Sequence, residues 1–82
     1  MPWVYILKSR RFRKTYTGST INLDKRLEEH NEGKSYFTAR YKPWDIVYRE
    51  YFDKLIEARK REKYLKSAAG RKYIKKKNLI GQ

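Results

Sequence analysis

The sequence predicts a small α+β domain, with a three-stranded antiparallel sheet flanked by helices in the order β-β-α-β-α-α. Two observations carry this prediction. Short β-branched and aromatic runs occupy residues 3–7, 15–17 and 46–52, and such runs are typical of strands. Apolar residues recur at helical spacing in residues 23–31 and 54–67.

The chain length fits one domain spanning residues 1–82. A protein of this size buries only about 60% of the surface that its unfolded chain exposes. The core must therefore be small, and the eight Tyr, three Phe and two Trp residues are expected to supply much of it. So small a domain favours a surface groove over a deep cavity as its binding site.

The first two strands are expected to form a hairpin. Residues 3–7 form the first strand, residues 8–14 a basic loop, and residues 15–17 a second strand that ends at Gly18. Because this connection is too short for a parallel crossover, the two strands must pair in antiparallel fashion.

The first helix is predicted from Leu23 to about Asn31. Asn22 is placed to cap it, because an Asn side chain can accept a backbone N–H of the first turn. Residues 32–44 contain a glycine and a proline and are predicted to form a long loop before the third strand.

Two helices are predicted after the third strand. Asp53 is expected to cap the first of them, at residues 54–67. Gly70 is expected to interrupt the helical pattern. A short, strongly basic helix from Arg71 to about Asn78 is then expected to close the chain.

The charge of the chain indicates a polyanionic partner. The net charge is +13, from 22 Lys and Arg residues against nine Asp and Glu residues. Phosphate contacts made by such side chains release counterions and give affinity that does not depend on sequence. The residues expected to grip a nucleic-acid backbone form two basic segments: Arg10, Arg11, Arg13, Lys14, Arg71, Lys72, Lys75, Lys76 and Lys77.

The composition also excludes several classes of protein. The chain has no cysteine, which rules out disulfides and thiolate metal sites. No apolar run approaches the ~20 residues of a membrane span. No signal peptide is recognisable either, so the cytoplasm is the expected compartment and no membrane partner is expected.

One acid of the helix at residues 54–67 stands where an apolar residue is expected. The apolar stripe of this helix contains Ala58 and Leu65, and Glu62 falls between them. A carboxylate in that place is costly unless it is paired or bound to a cation. One interpretation is a structural salt bridge with Arg26 or a lysine. The other is a divalent-cation site, since Mg²⁺ often needs only one or two protein carboxylates.

Arg26 and His30 are spaced one turn apart on the first helix, beside its buried side. Arginine is suited to a bidentate grip on phosphate. His30 is the one histidine of the chain, and it is suited to donate to a phosphate oxygen or to relay a proton. An ordinary residue at a helix C-terminus, interacting with the helix dipole, is the alternative for His30.

Tyr5 and Tyr16 fall on the two strands of the expected hairpin, so their phenols are expected to lie side by side. Packing alone would also account for them. A free phenol with a pKa of about 10 is a poor base unless a neighbouring cation stabilises the phenolate. Arg26 and a metal ion at Glu62 are candidates for that cation.

These segments resemble the GIY-YIG nuclease domain, in particular its small stand-alone bacterial members of the UPF0213 type, which are related to the nuclease half of the excision-repair incision subunit. The first motif is present as Val4-Tyr5-Ile6-Leu7, without the leading Gly-Ile, and the second as Tyr16-Thr17-Gly18-Ser19-Thr20. The helix at 22–33, the loop at 41–44 and the helix at 57–66 also match. The resemblance covers nearly the whole chain.

The resemblance implies an active site made of Tyr5, Tyr16, Arg26, His30 and Glu62, with Gly18 as the motif glycine. It further implies hydrolysis of phosphodiester bonds with one divalent metal ion, Mg²⁺ or Mn²⁺, held by Glu62. Many members also use an Asn after the metal-binding helix, which makes Asn78 a further candidate. Some members carry a lysine directly after the motif glycine. Ser19 occupies that place here, so the role of general base is expected to fall to Tyr16.

The function expected from these observations is a metal-dependent DNA endonuclease, with repair or recombination as its setting and RNA as an alternative substrate. A separate domain for DNA specificity is not recognisable, so targeting is expected to depend on DNA structure or on a protein partner. Two alternatives remain open at this point. One is a nucleic-acid-binding module with weak or no nuclease activity, and the other is a basic structural protein such as a ribosome-associated one.

Overall fold

The computed structural model describes residues 2–76 of the 82-residue chain. It contains a three-stranded antiparallel sheet with helices packed against it, which confirms the predicted fold class. The sheet has the strand order β2-β1-β3. The elements, in chain order, are β1 (Trp3–Ser9), β2 (Thr15–Thr20), α1 (Leu23–Asn31), α2 (Tyr36–Ala39), β3 (Trp44–Tyr51), α3 (Leu55–Lys66) and α4 (Ala68–Lys76).

The central strand β1 is buried on both faces. Val4 and Ile6 pack against α3 and α4 on one side, in a cluster that includes Ala58, Leu65 and Ile74. Tyr5 and Leu7 point to the other side and pack with Leu23 and Trp44. Successive side chains of a strand point to opposite faces, so this one strand contributes to both halves of the core.

The strand β2 continues past Gly18, so the prediction that it ends there is wrong. Gly18 lies opposite Tyr5 in the antiparallel register of β1 and β2. A Cβ atom on Gly18 would lie 2.6 Å from the Tyr5 hydroxyl oxygen and 2.8 Å from its Cζ atom. The glycine therefore makes room for the buried phenol ring and does not terminate the strand.

Gly70 also has a packing role, and the prediction that it breaks the helical pattern is wrong. The break occurs at Ser67, whose backbone is extended and whose Oγ accepts the backbone N–H of Gly70 at 3.2 Å. The helix α4 accordingly begins at Ala68 and not at Arg71. A Cβ atom on Gly70 would clash with the backbone of Tyr64 and Leu65, so glycine allows α4 to pack closely on the end of α3.

The helix caps agree with the prediction at one position and not at the other. The Asn22 side chain accepts the backbone N–H of Lys25 at 3.1 Å, as expected. At α3 the cap residue is Lys54, because the N–H groups of Glu57 and Ala58 bond to its carbonyl oxygen. Asp53 lies one position too early to cap this turn, which corrects the prediction.

The segment predicted as a loop at residues 32–44 contains the four-residue helix α2. Gly33 has a positive φ of 81° and reverses the chain after α1. The peptide bond between Lys42 and Pro43 is cis and precedes β3. Within residues 2–76, no helix has the length and apolar character that crossing a membrane requires.

Candidate active site

The Tyr5 phenol and the His30 imidazole form a buried pair between β1 and α1. The Tyr5 hydroxyl lies 3.0 Å from His30 Nε2, and His30 Nδ1 lies 2.7 Å from Thr38 Oγ1. Thr38 in turn donates to the carbonyl oxygen of Ser35 at 3.4 Å. This sequence of contacts fits one set of proton positions, in which Tyr5 donates to Nε2 and Nδ1–H donates to Thr38.

Burial keeps both members of this pair neutral at pH 7. Loss of hydration raises the pKa of Tyr5 to about 12, although the neighbouring Arg26 guanidinium acts to lower it. Burial lowers the pKa of His30 to about 4, and the positive charge of Arg26 contributes in the same direction. The His30 ring has no exposed surface with which to contact a phosphate. The geometry therefore suits Tyr5 and His30 to positioning the site more than to exchanging protons.

Arg26 lies beside this pair at the surface of α1. Its Nη1 donates to Glu29 Oε1 at 3.0 Å, and about a third of its side chain is exposed. Its charge acts on both Tyr5 and Tyr16. Glu29 fixes the guanidinium on one side and leaves the other side near the two phenols. The salt bridge predicted for Glu62, with Arg26 or a lysine as its partner, is formed with a lysine, Lys66, and Arg26 pairs with Glu29.

Tyr16 lies on the edge strand β2 and is half-buried. Its ring centroid is 4.9 Å from that of His30, 6.3 Å from that of Tyr5 and 6.2 Å from that of Phe37. The two motif tyrosines are thus neighbours, as the hairpin predicts. Their environments differ, because Tyr5 is fully enclosed and Tyr16 faces solvent on one side.

Glu62 lies between the buried residues Ala58 and Leu65 of α3, and its side chain is 22% exposed. Ser19 Oγ donates to Glu62 Oε1 at 2.6 Å, and Lys66 Nζ donates to Oε2 at 2.8 Å. Partial burial acts to raise the pKa of the Glu62 carboxyl, but the hydrogen bonds from Lys66 and Ser19 outweigh it and lower the pKa. The carboxylate is therefore ionised and fixed in orientation.

The site extends around the edge strand β2. Tyr16 points to the α1 side of the sheet, whereas Ser19 points to the α3 side, where it meets Glu62. Lys66 connects the two sides, because its ammonium also lies 5.9 Å from the centroid of the Tyr16 ring. A groove of about 310 Å³ runs along this edge and is lined by Thr15, Tyr16, Thr17, Leu65, Lys66, Arg71 and Ile74.

The contact residues of this site that were not among the predicted site residues include Lys66, Ser19 and Thr38. Lys66 is one turn after Glu62 on the same helix, a spacing at which ion pairs form, so the sequence did contain a signal for it. Ser19 was noted only because it replaces a lysine. Thr38 had no signal, since it comes from α2, in a segment expected to be a loop.

The residues around Glu62 fit a single-carboxylate cation site. Among residues 2–76, no three His, Cys, Asp or Glu side chains cluster as metal ligands. Mg²⁺ can be held by one carboxylate when water and phosphate oxygens complete its shell. Glu62 is ionised and partly exposed, which suits this kind of site. The Lys66 ammonium donates a hydrogen bond to Glu62 Oε2 and would have to move away before a cation could bind to that oxygen.

The residues predicted to bind the nucleic-acid backbone differ in whether their side chains are free to contact phosphate. Arg10 is engaged in a two-pronged ion pair with Asp45, at 2.8 and 2.9 Å. Arg71 lines the groove along β2. The other members of this set that the structure describes are exposed: Arg11, Arg13, Lys14, Lys72, Lys75 and Lys76. Lys77 and the candidate Asn78 lie outside the described residues.

Comparison with known proteins adds a family to this geometry. A family model described as the GIY-YIG catalytic domain matches residues 1–78. The chain belongs to the GIY-YIG family. GIY-YIG is a nuclease family, so a nucleic-acid substrate follows from membership, and GIY-YIG nucleases generally use divalent metal ions.

Individual GIY-YIG relatives match most of the chain. A UPF0213 protein of Clostridium perfringens (strain 13 / Type A) is 43% identical over 67 residues, which cover 80% of this chain and 71% of that protein. A UPF0213 protein of Staphylococcus saprophyticus is 35% identical over 74 residues, 89% of each chain. The solution NMR structure of a UPF0213 protein from Bacillus halodurans matches with a TM-score of 0.56 and 31% identity, covering 99% of this chain and 87% of that one.

Proposed function

We propose that the protein is a metal-dependent endonuclease that hydrolyses phosphodiester bonds in DNA. The observation that carries the proposal is the position of Glu62, an ionised carboxylate held by Ser19 of the second tyrosine motif. A carboxylate in an apolar stripe costs folding free energy unless it is paired, and a role in binding a catalytic cation gives this carboxylate a function. Tyr16 and Arg26 lie at the same edge of the sheet, so both can contact one bound phosphate.

Glu62 is the residue that would hold Mg²⁺ or Mn²⁺. A divalent cation at this carboxylate supplies positive charge that polarises the phosphoryl group and stabilises the leaving oxygen. Ser19 keeps the carboxylate oriented through Oε1, and Lys66 neutralises it when no other cation is near.

Tyr16 is proposed as the general base that takes a proton from the attacking water. Tyr5 is a poor candidate, because its pKa of about 12 and its bond to His30 keep it protonated. Tyr16 is half-buried and borders the open groove, so water can reach it. Arg26 and Lys66 provide the neighbouring positive charge that a phenolate requires.

Arg26 is proposed to stabilise negative charge on the phosphate in the transition state. Its side chain is partly exposed and aligned by Glu29, so little reorganisation is needed when charge develops. Tyr5 and His30 act as positioning residues behind Arg26 and Tyr16. The exposed cations of the β1–β2 loop and of α4 bind the backbone without reading bases.

Plasmid nicking in Mg²⁺ and in Mn²⁺ tests the proposal. The wild type is expected to convert supercoiled plasmid to nicked circles, and Glu62→Gln is expected to abolish this conversion. Glu57→Gln is the matched control, because Glu57 is an exposed glutamate on the same helix and should retain activity. Full activity of Glu62→Gln would exclude the proposed metal site.

A nucleic-acid-binding module without cleavage is the second candidate. The ion pair between Lys66 and Glu62 favours it, since an internal partner already satisfies the carboxylate. This candidate predicts salt-sensitive binding of DNA that is the same in the wild type and in Glu62→Gln, with no cleavage products in either metal. The nicking assay and a binding assay on the same two proteins therefore separate the candidates.

A further inference from the structure

A continuous series of aromatic rings leads from the β1–β2 loop to the candidate active site. The ring centroids of Phe12 and Tyr41 are 5.4 Å apart, those of Tyr41 and Phe37 are 5.3 Å apart, and those of Phe37 and Tyr16 are 6.2 Å apart. We call these four residues the aromatic run. Its last member is the proposed general base.

The outer part of the aromatic run is exposed. Phe12 is 49% exposed and Phe37 is 44% exposed, and neither belongs to the two core clusters. Tyr36, which precedes Phe37 on α2, is 86% exposed. Among residues 2–76, seven large apolar side chains are exposed, and Phe12, Tyr36 and Phe37 are three of them. Exposed rings that follow one another in this way, as Phe12 and Phe37 do through Tyr41, are typical of a binding surface.

Positive charge is interleaved with these rings. The Lys14 ammonium lies 5.4 Å from the centroid of the Tyr41 ring. Arg11 and Arg13 are exposed on the same loop, and Arg40 is exposed at the end of α2. No acidic residue occurs between residues 8 and 23 or between residues 33 and 44. The surface is therefore complementary to a polyanion that also offers flat apolar faces.

We propose that the aromatic run stacks the unpaired bases of a single-stranded nucleic acid and leads that strand to Tyr16. The proposal rests on the proposed function, and it specifies the substrate class. Stacking on exposed rings is available to every base of a single strand, whatever its sequence. In a duplex the base faces are already stacked on one another, so exposed rings add little. DNA and RNA strands share this chemistry.

Binding measured in a metal chelator tests the proposal without cleavage. The probes are labelled oligo(dT), oligo(U) and a DNA duplex of equal length, followed by fluorescence anisotropy. The wild type is expected to bind at least one of the single strands more tightly than the duplex. Phe37→Ala is expected to weaken this binding about tenfold and to leave the affinity for duplex unchanged. The oligo(dT) and oligo(U) arms distinguish DNA from RNA.

Two further variants keep the result interpretable. Tyr36→Ala removes the 86% exposed ring that precedes Phe37 on α2, so little packing is lost, and it is expected to weaken single-strand binding as well. Tyr51→Ala is the matched control: Tyr51 is 45% exposed but lies at the opposite end of β1, against Trp3. It is expected to bind all probes like the wild type.

The outcomes for this proposal and for the nuclease are separable. Unchanged single-strand affinity in both Phe37→Ala and Tyr36→Ala would overturn the stacking surface, even in a protein that nicks plasmid. An equal loss of affinity for single strands and for duplex would overturn it as well, because it would indicate a general backbone contact. A protein that binds single strands through Phe37 but produces no cleavage products would refute the nuclease and leave the stacking surface intact.

Discussion

Lys66 donates a hydrogen bond to the Glu62 carboxylate at 2.8 Å, one turn further along the same helix. The ammonium and a divalent cation would compete for the same oxygen atom. The Glu62 carboxylate is thus paired with Lys66 in the structure, and Lys66 has to move before a metal ion can bind to the same oxygen atom.

Replacing Lys66 is therefore expected to strengthen metal binding. Lys66→Gln should bind Mn²⁺ about two- to fivefold more tightly than the wild type, the range expected for loss of a partly exposed ion pair. The measurement is a Mn²⁺ titration followed by electron paramagnetic resonance at fixed ionic strength. Lys63→Gln makes the same change of charge at an exposed position of α3 and should not alter the affinity. Weaker Mn²⁺ binding in Lys66→Gln would contradict the competition.

Tyr16→Phe is expected to lose cleavage and retain binding. The substitution removes the hydroxyl oxygen that accepts a proton but keeps the ring that packs against His30 and Phe37. Loss of a general base typically slows a reaction by about 10²–10⁴-fold. The rate of plasmid nicking and the affinity for oligonucleotide are measured on the same preparation. Tyr64→Phe serves as the control, and equal rates for the two variants would assign the base to another residue.

Gly18→Ala is expected to destabilise the protein by about 1–3 kcal/mol, the usual cost of overpacking a core. The added Cβ would lie 2.6 Å from the Tyr5 hydroxyl oxygen, so the buried ring would have to move and its bond to His30 would be strained. Urea unfolding measures the change. In a strand with open space, replacing Gly by Ala should be neutral or favourable, so an unchanged or higher free energy of unfolding would contradict the close contact.

The burial of His30 predicts that stability decreases as the pH is lowered. The pKa of His30 is about 4 in the folded protein, below the ordinary value of 6.5, so the unfolded chain gains a proton first. The free energy of unfolding should therefore fall between pH 6.5 and pH 4, by on the order of 2–3 kcal/mol, and show no such change above pH 6.5. Urea unfolding across this range measures it.

A His30→Gln variant provides the comparison for that experiment. It lacks the titrating ring, so its stability should vary less steeply over the same pH interval, although it is expected to be less stable than the wild type at pH 7. Carboxylates with lowered pKa values, including those of Glu29 and Glu62, contribute equally to both proteins. Parallel profiles for the two proteins would show that His30 is not the group responsible.

The features that the sequence predicted well are those with local causes. The α1 helix and its Asn22 cap depend on residues three positions apart, and both were found as expected. The same holds for Glu62, whose unusual position follows from helical periodicity alone. The sheet could be predicted because short β-branched and aromatic runs mark its strands.

The features that were mispredicted depend on partners distant in sequence. Gly18 was predicted to end a strand. Glycine is needed there because the Tyr5 ring packs against it from the neighbouring strand, and that contact is not visible in the local sequence. Gly70 was predicted to break a helix. It instead makes room for the backbone of Tyr64 and Leu65 in the preceding helix, which the local sequence does not reveal. Thr38 could not be recognised at all, since only the folded chain brings α2 to His30. Local propensity cannot report such contacts, because it describes each segment without its neighbours.

Because β1 is buried on both faces, substitutions in this strand affect the core, whereas exposed residues outside it are freer to vary. Amides of this strand should exchange with solvent only through global unfolding. Because Tyr5 is fully buried in it, substitutions at Tyr5 are expected to change stability as well as activity. The exposed residues at 10–14 and 34–42, in contrast to the buried Thr38, lie outside that strand on surface segments that tolerate variation. A change of substrate preference, whether by natural divergence or in the laboratory, can therefore occur in these segments while the catalytic framework stays the same.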